Sequence, residues 1–377
     1  MLSDDISNFS FISGGRHLRA SGLFQKVDTP AADGHEADSQ FCRTITESLE
    51  KARLAGQENP IIVGAIPFDC TQPSCLYIPQ QYEWHPHQAD KGNHAATIPE
   101  LVSSQDIPGE HSFKSAVAQA IDCFRQGEIQ KAVLSAQREL TFKQDVDVRT
   151  IRDNLLAQNS HGYFFQVPLS TGGALIGVSP ELLIHKQDST FTSNPLAGSA
   201  RRLADPQADQ ENADRLAASE KDHYEHHLVT QAISAQLGGL CSALQIPEQP
   251  SLTSTATLWH LSTHIEGTLT NPQTSALQLA CRLHPTPAVC GSPTTLSQHL
   301  IRTLEPSERG LFTGMVGWCD SQGNGEWVVT IRCGTIEGNQ VRLFAGAGIV
   351  EASNPDSEWA EVQTKLGTML HACGLPS

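Results

Sequence analysis

The chain has 377 residues, 25 Lys+Arg against 41 Asp+Glu, a formal net charge of −16, and 39% hydrophobic residues. At about 150 residues per domain this allows two or three domains or one large one, in either case with enough chain to bury a full core. The charge argues against a nucleic-acid binder, which needs a basic face to displace counterions from phosphate, and against an anionic membrane surface. Small anions stay possible, because a local positive pocket can sit inside an acidic shell. No stretch approaches the ~20 consecutive apolar residues of a membrane span. The start, Met1 to Asp5, has neither a basic region nor an apolar run, so no signal peptide is expected. Ten cysteines are scattered without a C-x-x-C pair, which reads as reduced thiols in a cytoplasm.

Along the chain, Ile61–Ile66 reads as a buried strand ended by Pro67. The polar stretch from Glu83 to Gly109 reads as a linker or long surface loop. Phe113, Val117, Ala120, Ile121 and Phe124 recur at helical spacing behind Ser112 as N-cap, and Gly127 ends the run. A strand from Lys131 to Phe142 follows, then strands 162–168 and 174–178 around a Thr-Gly-Gly turn. Residues 207–238 read as one long helix. Strands are expected at 257–268, 312–319, 326–334 and 340–345, with a turn at Ser321–Gly325, and a last helix over Pro355–His371. Hairpin-linked strands interleaved with a few helices predict an α+β architecture with largely antiparallel sheets. A doubly wound dinucleotide fold is not expected, for neither G-x-G-x-x-G after a strand nor a P-loop is present.

Several side chains could carry chemistry. Glu358, Glu361 and Lys365 share one face of the last helix, and Asp222 and Glu225 share a face of the long one. Two carboxylate pairs would suit Mg²⁺, which takes oxygen ligands; the same spacings also suit solvated faces. His223, Glu225 and His227 invite a zinc reading, but the Glu is misplaced for H-E-x-x-H. Lys131 is either a desolvated base on a half-buried strand face or an edge lysine in water. Glu181 is either a helix-start carboxylate or a general acid kept protonated in an apolar pocket. Pro195–Ala200 and Ala345–Gly348 look like anion-cradling turns.

These pieces occur in an order that resembles the chorismate-utilising enzymes. The motifs are Lys131–Ser135, Ser179-Pro-Glu181-Leu-Leu, Pro195-Leu-Ala-Gly-Ser199, Ser219–His226, His284–Ala288, Thr330-Ile-Arg332 and Ala345–Val350. Val63–Asp69, Leu76–Pro79, Thr257–Leu261 and the Gly314–Trp327 region resemble the siderophore-pathway isochorismate synthases of the enterobactin type. The resemblance covers nearly the whole chain. It implies the large α+β chorismate-binding fold also seen in anthranilate synthase component I, with residues 1–105 packing onto a catalytic domain at 106–374 as one compact unit.

By that resemblance Lys131 activates a water for attack at C2 of chorismate, and Glu181 protonates the departing C4 hydroxyl. Glu225 and Glu361 hold Mg²⁺, supported by Asp222 and Glu358. Gly198, Ala288, Arg332, Gly346 and Lys365 surround the substrate, with His260, Phe312 and Phe344 nearby. The implied activity is isochorismate synthase, an isomerase of 2,3-dihydroxybenzoate and siderophore biosynthesis, cytoplasmic, with no glutamine amidotransferase subunit, nucleic acid or membrane partner. Ammonia-using anthranilate synthases typically lack the lysine, and aminodeoxychorismate synthases usually read Pro-Ile-Lys-Gly-Thr at 195–199. The competitors are a salicylate synthase, which goes on to eliminate pyruvate, and a catalytically silent chorismate-binding protein. Two positions depart from many relatives: Ala136, where an arginine is common, and Val289, where Leu or Ile is common.

Overall fold

The computed structural model describes residues 8–87, 98–159 and 161–376. The chain opens with the hairpin β1 (Phe9–Ser13) and β2 (Arg16–Val27), turned by Gly14 and Gly15 at positive φ. Helix α1 (Gln40–Leu54), capped by Ser39, leads to β3 (Ile61–Ile66) and β4 (Cys75–Pro86). Next come β5 (Leu101–Ile107), α2 (Glu110–Arg125), β6 (Lys131–Phe142), α3 (Val148–Gln158), β7 (Tyr163–Pro168) and β8 (Ala174–Ser179). They are followed by β9 (Leu182–Gln187), β10 (Thr190–Asn194), β11 (Leu196–Arg201), α4 (Pro206–Ala217) and α5 (Glu220–Leu237). The remainder is β12 (Cys241–Gln245), β13 (Ser251–Ser254), β14 (Leu258–Ser262), β15 (Ile265–Leu269), α6 (Ala276–Leu283), β16 (Gly291–Ser292) and α7 (Thr294–Leu304). It closes with β17 (Met315–Asp320), β18 (Gly325–Val329), β19 (Cys333–Glu337), β20 (Gln340–Ile349) and α8 (Pro355–Ala372).

The strand pairings are antiparallel throughout, as expected for α+β. They run as one ribbon, β5-β6-β20-β19-β8-β7-β1-β2-β4-β3-β17-β18-β9-β10-β15-β12, while β11, β14 and β13 form a small second sheet. Strands such as β3 and β8 are buried on both faces, whereas β2, β5 and β12 are largely exposed. In β3, Ile61, Val63 and Ala65 join an inner core with Phe9, Phe165, Val316 and Val328, whereas Ile62 and Ile66 face a core shared with α1, α5 and α6. In β8, Leu175 belongs to the inner core, and Ala174, Ile176 and Val178 to one shared with α2, α3 and α8. Helices outside and sheet against sheet inside explain why Ile61–Ile66 is continuously apolar although its sheet is antiparallel.

Several expected boundaries change. The loop expected over 83–109 is largely strand within the described residues: β4 runs to Pro86 and β5 pairs with β6. Helix α2 starts three residues before Phe113, with Gly109 rather than Ser112 as N-cap. The single helix over 207–238 is two, because Ser219 accepts the Asp222 N–H and caps a new start there. The strand expected over 257–268 divides into β14 and β15, which enter different sheets. The strand expected over 326–334 breaks at Thr330–Arg332, where Arg332 takes φ +50. The breaks at Ser219 and Thr330–Arg332 bring Glu225, Ile331 and Arg332 to the site described next.

Candidate active site

The links β8→β9 and β18→β19 pass from one half of the ribbon to the other, and they place Pro180-Glu181 and Ile331-Arg332 on the wall of one cleft. Together with the open solvent at its mouth it spans about 590 Å³. Strand β6 contributes Val133, β11 contributes Leu196 to Ser199, and β14 contributes His260. Strand β20 contributes Gly346 and Gly348, while α5 and α8 contribute Glu225, Glu361 and Lys365. Ala288, Val289, Phe312 and Thr313 close the remaining side.

One wall is cationic. Arg332 is buried, and its Nη2 donates to His260 Nε2 at 3.4 Å, while its Nε–H has no acceptor. Burial pulls this guanidinium down to about 10. Burial, with Arg332 and Lys365 beside it, holds His260 well below the usual imidazole range, so it is neutral. A ring that accepts at Nε2 carries its proton on Nδ1, which faces Ser199 Oγ at 3.0 Å. Glu181, 3% exposed, is pushed up to about 7 by burial, with the Leu196 amide and then Lys131, Arg332 and Lys365 acting against it. It is therefore a carboxyl that can be protonated near neutrality, on a strand link rather than at a helix start.

The other end is acidic. Asp222 and Glu225 come from the first turns of α5, Glu358 and Glu361 from α8. Lysine Nζ atoms meet three of them: Lys131 with Glu225 at 2.9 Å, Lys221 with Glu358 at 2.8 Å, and Lys365 with Glu361 at 2.6 Å. Burial raises Asp222, with Glu225 and Glu361 adding repulsion, and burial together with Glu361 raises Glu358. Burial would raise Glu225 too, but Lys131 and Lys221 outweigh it and hold it below the usual range. Among the described residues, no three His, Cys, Asp or Glu side chains converge as they stand into a metal-binding group. The donor set still fits a hard divalent cation: it is all oxygen, self-repelling and lined by backbone that leaves room. A Cβ on Gly348 would lie 2.1 Å from Glu225 Oε1, so only glycine lets that carboxylate seat against β20. The zinc reading of His223, Glu225 and His227 finds no such fit, since His223 bonds the Ala217 carbonyl, His227 is exposed and Glu225 is buried against Lys131.

Of the residues singled out in the sequence, Glu181, Gly198, Glu225, His260, Ala288, Phe312, Arg332, Gly346, Glu361 and Lys365 line the cleft. Lys131 lies just behind it, fully buried against Glu225; β16 and α7 cover that strand end, so it is no edge lysine in water. Asp222 packs against Gly198, Glu358 is buried against Lys221, and Phe344 stacks on Phe312 at 5.2 Å. The two glycine segments are strand rather than turn: Gly198, at φ +80, lies in β11, and Gly346 and Gly348 lie in β20. Thr313, at φ +57, and Ile331 were missed; each sits beside a residue that was found and lacks chemistry of its own to flag it.

The family model described as "Chorismate binding enzyme" matches residues 63–374. The chain belongs to the chorismate-binding enzymes. Within them it is similar to the isochorismate synthase EntC of Escherichia coli (strain K12), at 46% identity over 98% of this chain and 95% of that protein. The crystal structure of DhbC from Bacillus anthracis, assigned as a 2,3-dihydroxybenzoate-specific isochorismate synthase, superposes with a TM-score of 0.91 at 38% identity, covering 98% of this chain and 97% of that one. Anthranilate synthase component I from Streptococcus pneumoniae TIGR4, at 19% identity, shares the fold, with a TM-score of 0.78 over 95% of this chain and 92% of that one. In this chorismate-binding enzyme no helix among the described residues is long and apolar enough to cross a membrane, and the ten cysteines are free thiols.

Proposed function

We propose that this chorismate-binding enzyme is an isochorismate synthase. The observation that carries the reading is Glu181, a carboxyl raised to about 7 on the wall of a cleft also lined by Glu225, which pairs with the buried Lys131. Lys131, acting as the neutral amine, takes a proton from a water that attacks C2 of chorismate; both ring double bonds shift, the C4–O bond breaks, and Glu181 donates its proton to the leaving hydroxyl. Water enters and water leaves, so no redox partner is needed. Arg332, with an Nε–H lacking an acceptor, and Lys365 bind the carboxylates of the dianionic substrate, and the Gly346 and Gly198 backbone fits closely around it. Neutral His260 holds Arg332 in place, and Phe312 packed on Phe344 forms the apolar side. Glu225 and Glu361 would hold Mg²⁺, with Asp222 and Glu358 behind them, and the ion would supply positive charge for the ring carboxylate and the departing oxygen.

The similarity to EntC and DhbC supports a place in 2,3-dihydroxybenzoate and catecholate siderophore synthesis. We take the enzyme as cytoplasmic, working without a glutamine amidotransferase subunit, nucleic acid or membrane. Pairing of β1 with β7 and of β3 with β17 supports reading residues 1–105 and 106–374 as one unit. A chromatographic product assay tests the reading. Purified protein with chorismate yields isochorismate, without pyruvate, when Mg²⁺ is present and none with EDTA. Salicylate and pyruvate would instead assign the lyase activity, and no conversion in either condition would overturn the enzyme.

A further inference from the structure

A second buried arginine lies behind the same cleft. Arg309 and Glu305 form an ion pair whose side chains are 3% and 7% exposed. All five guanidinium N–H groups have acceptors. Nε donates to Glu305 Oε2 at 2.9 Å, and Nη2 to Glu305 Oε1 at 2.5 Å and to the Val133 carbonyl at 2.6 Å. Nη1 donates to the Val289 carbonyl at 2.8 Å and to Thr313 Oγ1 at 3.2 Å. Glu305 in turn accepts the Ser135 N–H at 2.8 Å and its hydroxyl at 2.9 Å. Phe68 seals the outer face, 4.4 Å from the guanidinium.

The acceptors are informative because Val133, Val289 and Thr313 are themselves wall residues of the cleft, drawn from β6, the segment before β16 and the segment before β17. Thr313 is held at φ +57, a conformation a β-branched residue adopts only when its surroundings impose it. Ser135 pairs in register with Gly346, whose carbonyl accepts from Lys365, so the same ion pair also reaches the β20 side. A planar fork with every donor used has one orientation, and it transmits that orientation to each segment it holds. Buried ion pairs are weak stabilisers but can specify a unique arrangement.

From this geometry we infer that Arg309 and Glu305 are positioning residues, which set the spacing of the Val133, Val289 and Thr313 walls around the substrate. The inference rests on the isochorismate synthase reading for its kinetic arm and on geometry for its structural arm. In Arg309→Lys the charge stays but the fork is lost. Kinetically, kcat/KM for chorismate falls at least tenfold in protein that a thermal melt shows to be folded at the assay temperature. A purely structural role would lower Tm and leave kcat and KM of the folded enzyme as in wild type, which would overturn the inference. Structurally, a crystal structure of the variant shows the Val289 and Thr313 segments displaced; unchanged segments would also overturn it. If wild-type protein does not convert chorismate, the functional reading fails and the structural arm still decides. Should Arg309→Lys not fold, Glu305→Gln, which keeps one acceptor oxygen and the shape, takes its place in both arms with the same expected results.

Discussion

Arg309 and Arg332 are both buried beside one cleft, and they differ in what their N–H groups meet. Around Arg309 every donor has an oxygen, two of them backbone carbonyls and the other three on the Glu305 and Thr313 side chains. Around Arg332 there is a neutral histidine at 3.4 Å and an Nε–H with no acceptor. A satisfied guanidinium is part of the frame. One left unsatisfied where burial opposes its charge is a receptor for an anion, because a ligand carboxylate supplies the missing acceptors without further reorganisation. On the proposed reading the same residue type builds the walls in one place and the binding contact in the other, and only the partners tell them apart.

The largest expected effects lie on the receptor side. Lys131→Ala and Glu181→Gln should each lower kcat by ~10²–10⁴, the usual share of one general base or acid, in the chromatographic assay. Loss of less than tenfold in either would remove that residue from its role. Arg332→Met should lower kcat/KM by about 10–150-fold, matching the ~1.5–3 kcal/mol of a hydrogen bond to a charged group. It should leave the denaturation midpoint unchanged or higher, since a charge with unused donors leaves the interior. Arg309→Met should do the reverse in stability, losing about 3–5 kcal/mol by urea denaturation, because Glu305 remains buried without its cation. Equal destabilisation by the two Met variants would erase the distinction.

Smaller effects sharpen the same picture. Glu361→Gln should weaken Mg²⁺ binding at least tenfold in a calorimetric titration, and an unchanged isotherm would reassign that carboxylate. Glu181 must be protonated to act, and its value is raised to about 7. Activity should accordingly fall as pH rises through that value, and Glu181→Gln should lack this limb. Phe344→Leu removes a ring stack worth ~0.5–1.5 kcal/mol and should change KM only severalfold.

Much of the receptor was legible in the sequence. Glu358, Glu361 and Lys365 declare a shared face through spacings of three and four, and Lys131 heads a strand whose observed limits, Lys131–Phe142, match those expected. The breaks at Ser219, at Thr263–His264 and at Thr330–Arg332 were not legible. Strands buried on both faces lose the polar alternation that would mark their ends, and an uninterrupted run of helix formers hides a cap. The frame around Arg309 left only the i,i+4 spacing of Glu305 and Arg309 as a pattern. Its acceptors stand at 133, 289, 305 and 313, and three of its five bonds go to atoms, two backbone carbonyls and a threonine hydroxyl, that no local motif distinguishes.

The sequence by itself determined the α+β character, the order of the chemical groups and their family, since composition, periodicity and motif order are properties of neighbouring residues. That Lys131 meets Glu225 and Lys221 meets Glu358, and which arginine is satisfied and which is left open, were decided only by the tertiary structure. Hydrogen bonds act over about 3 Å, and segments more than a hundred residues apart in the chain come within that distance only once the antiparallel ribbon has closed.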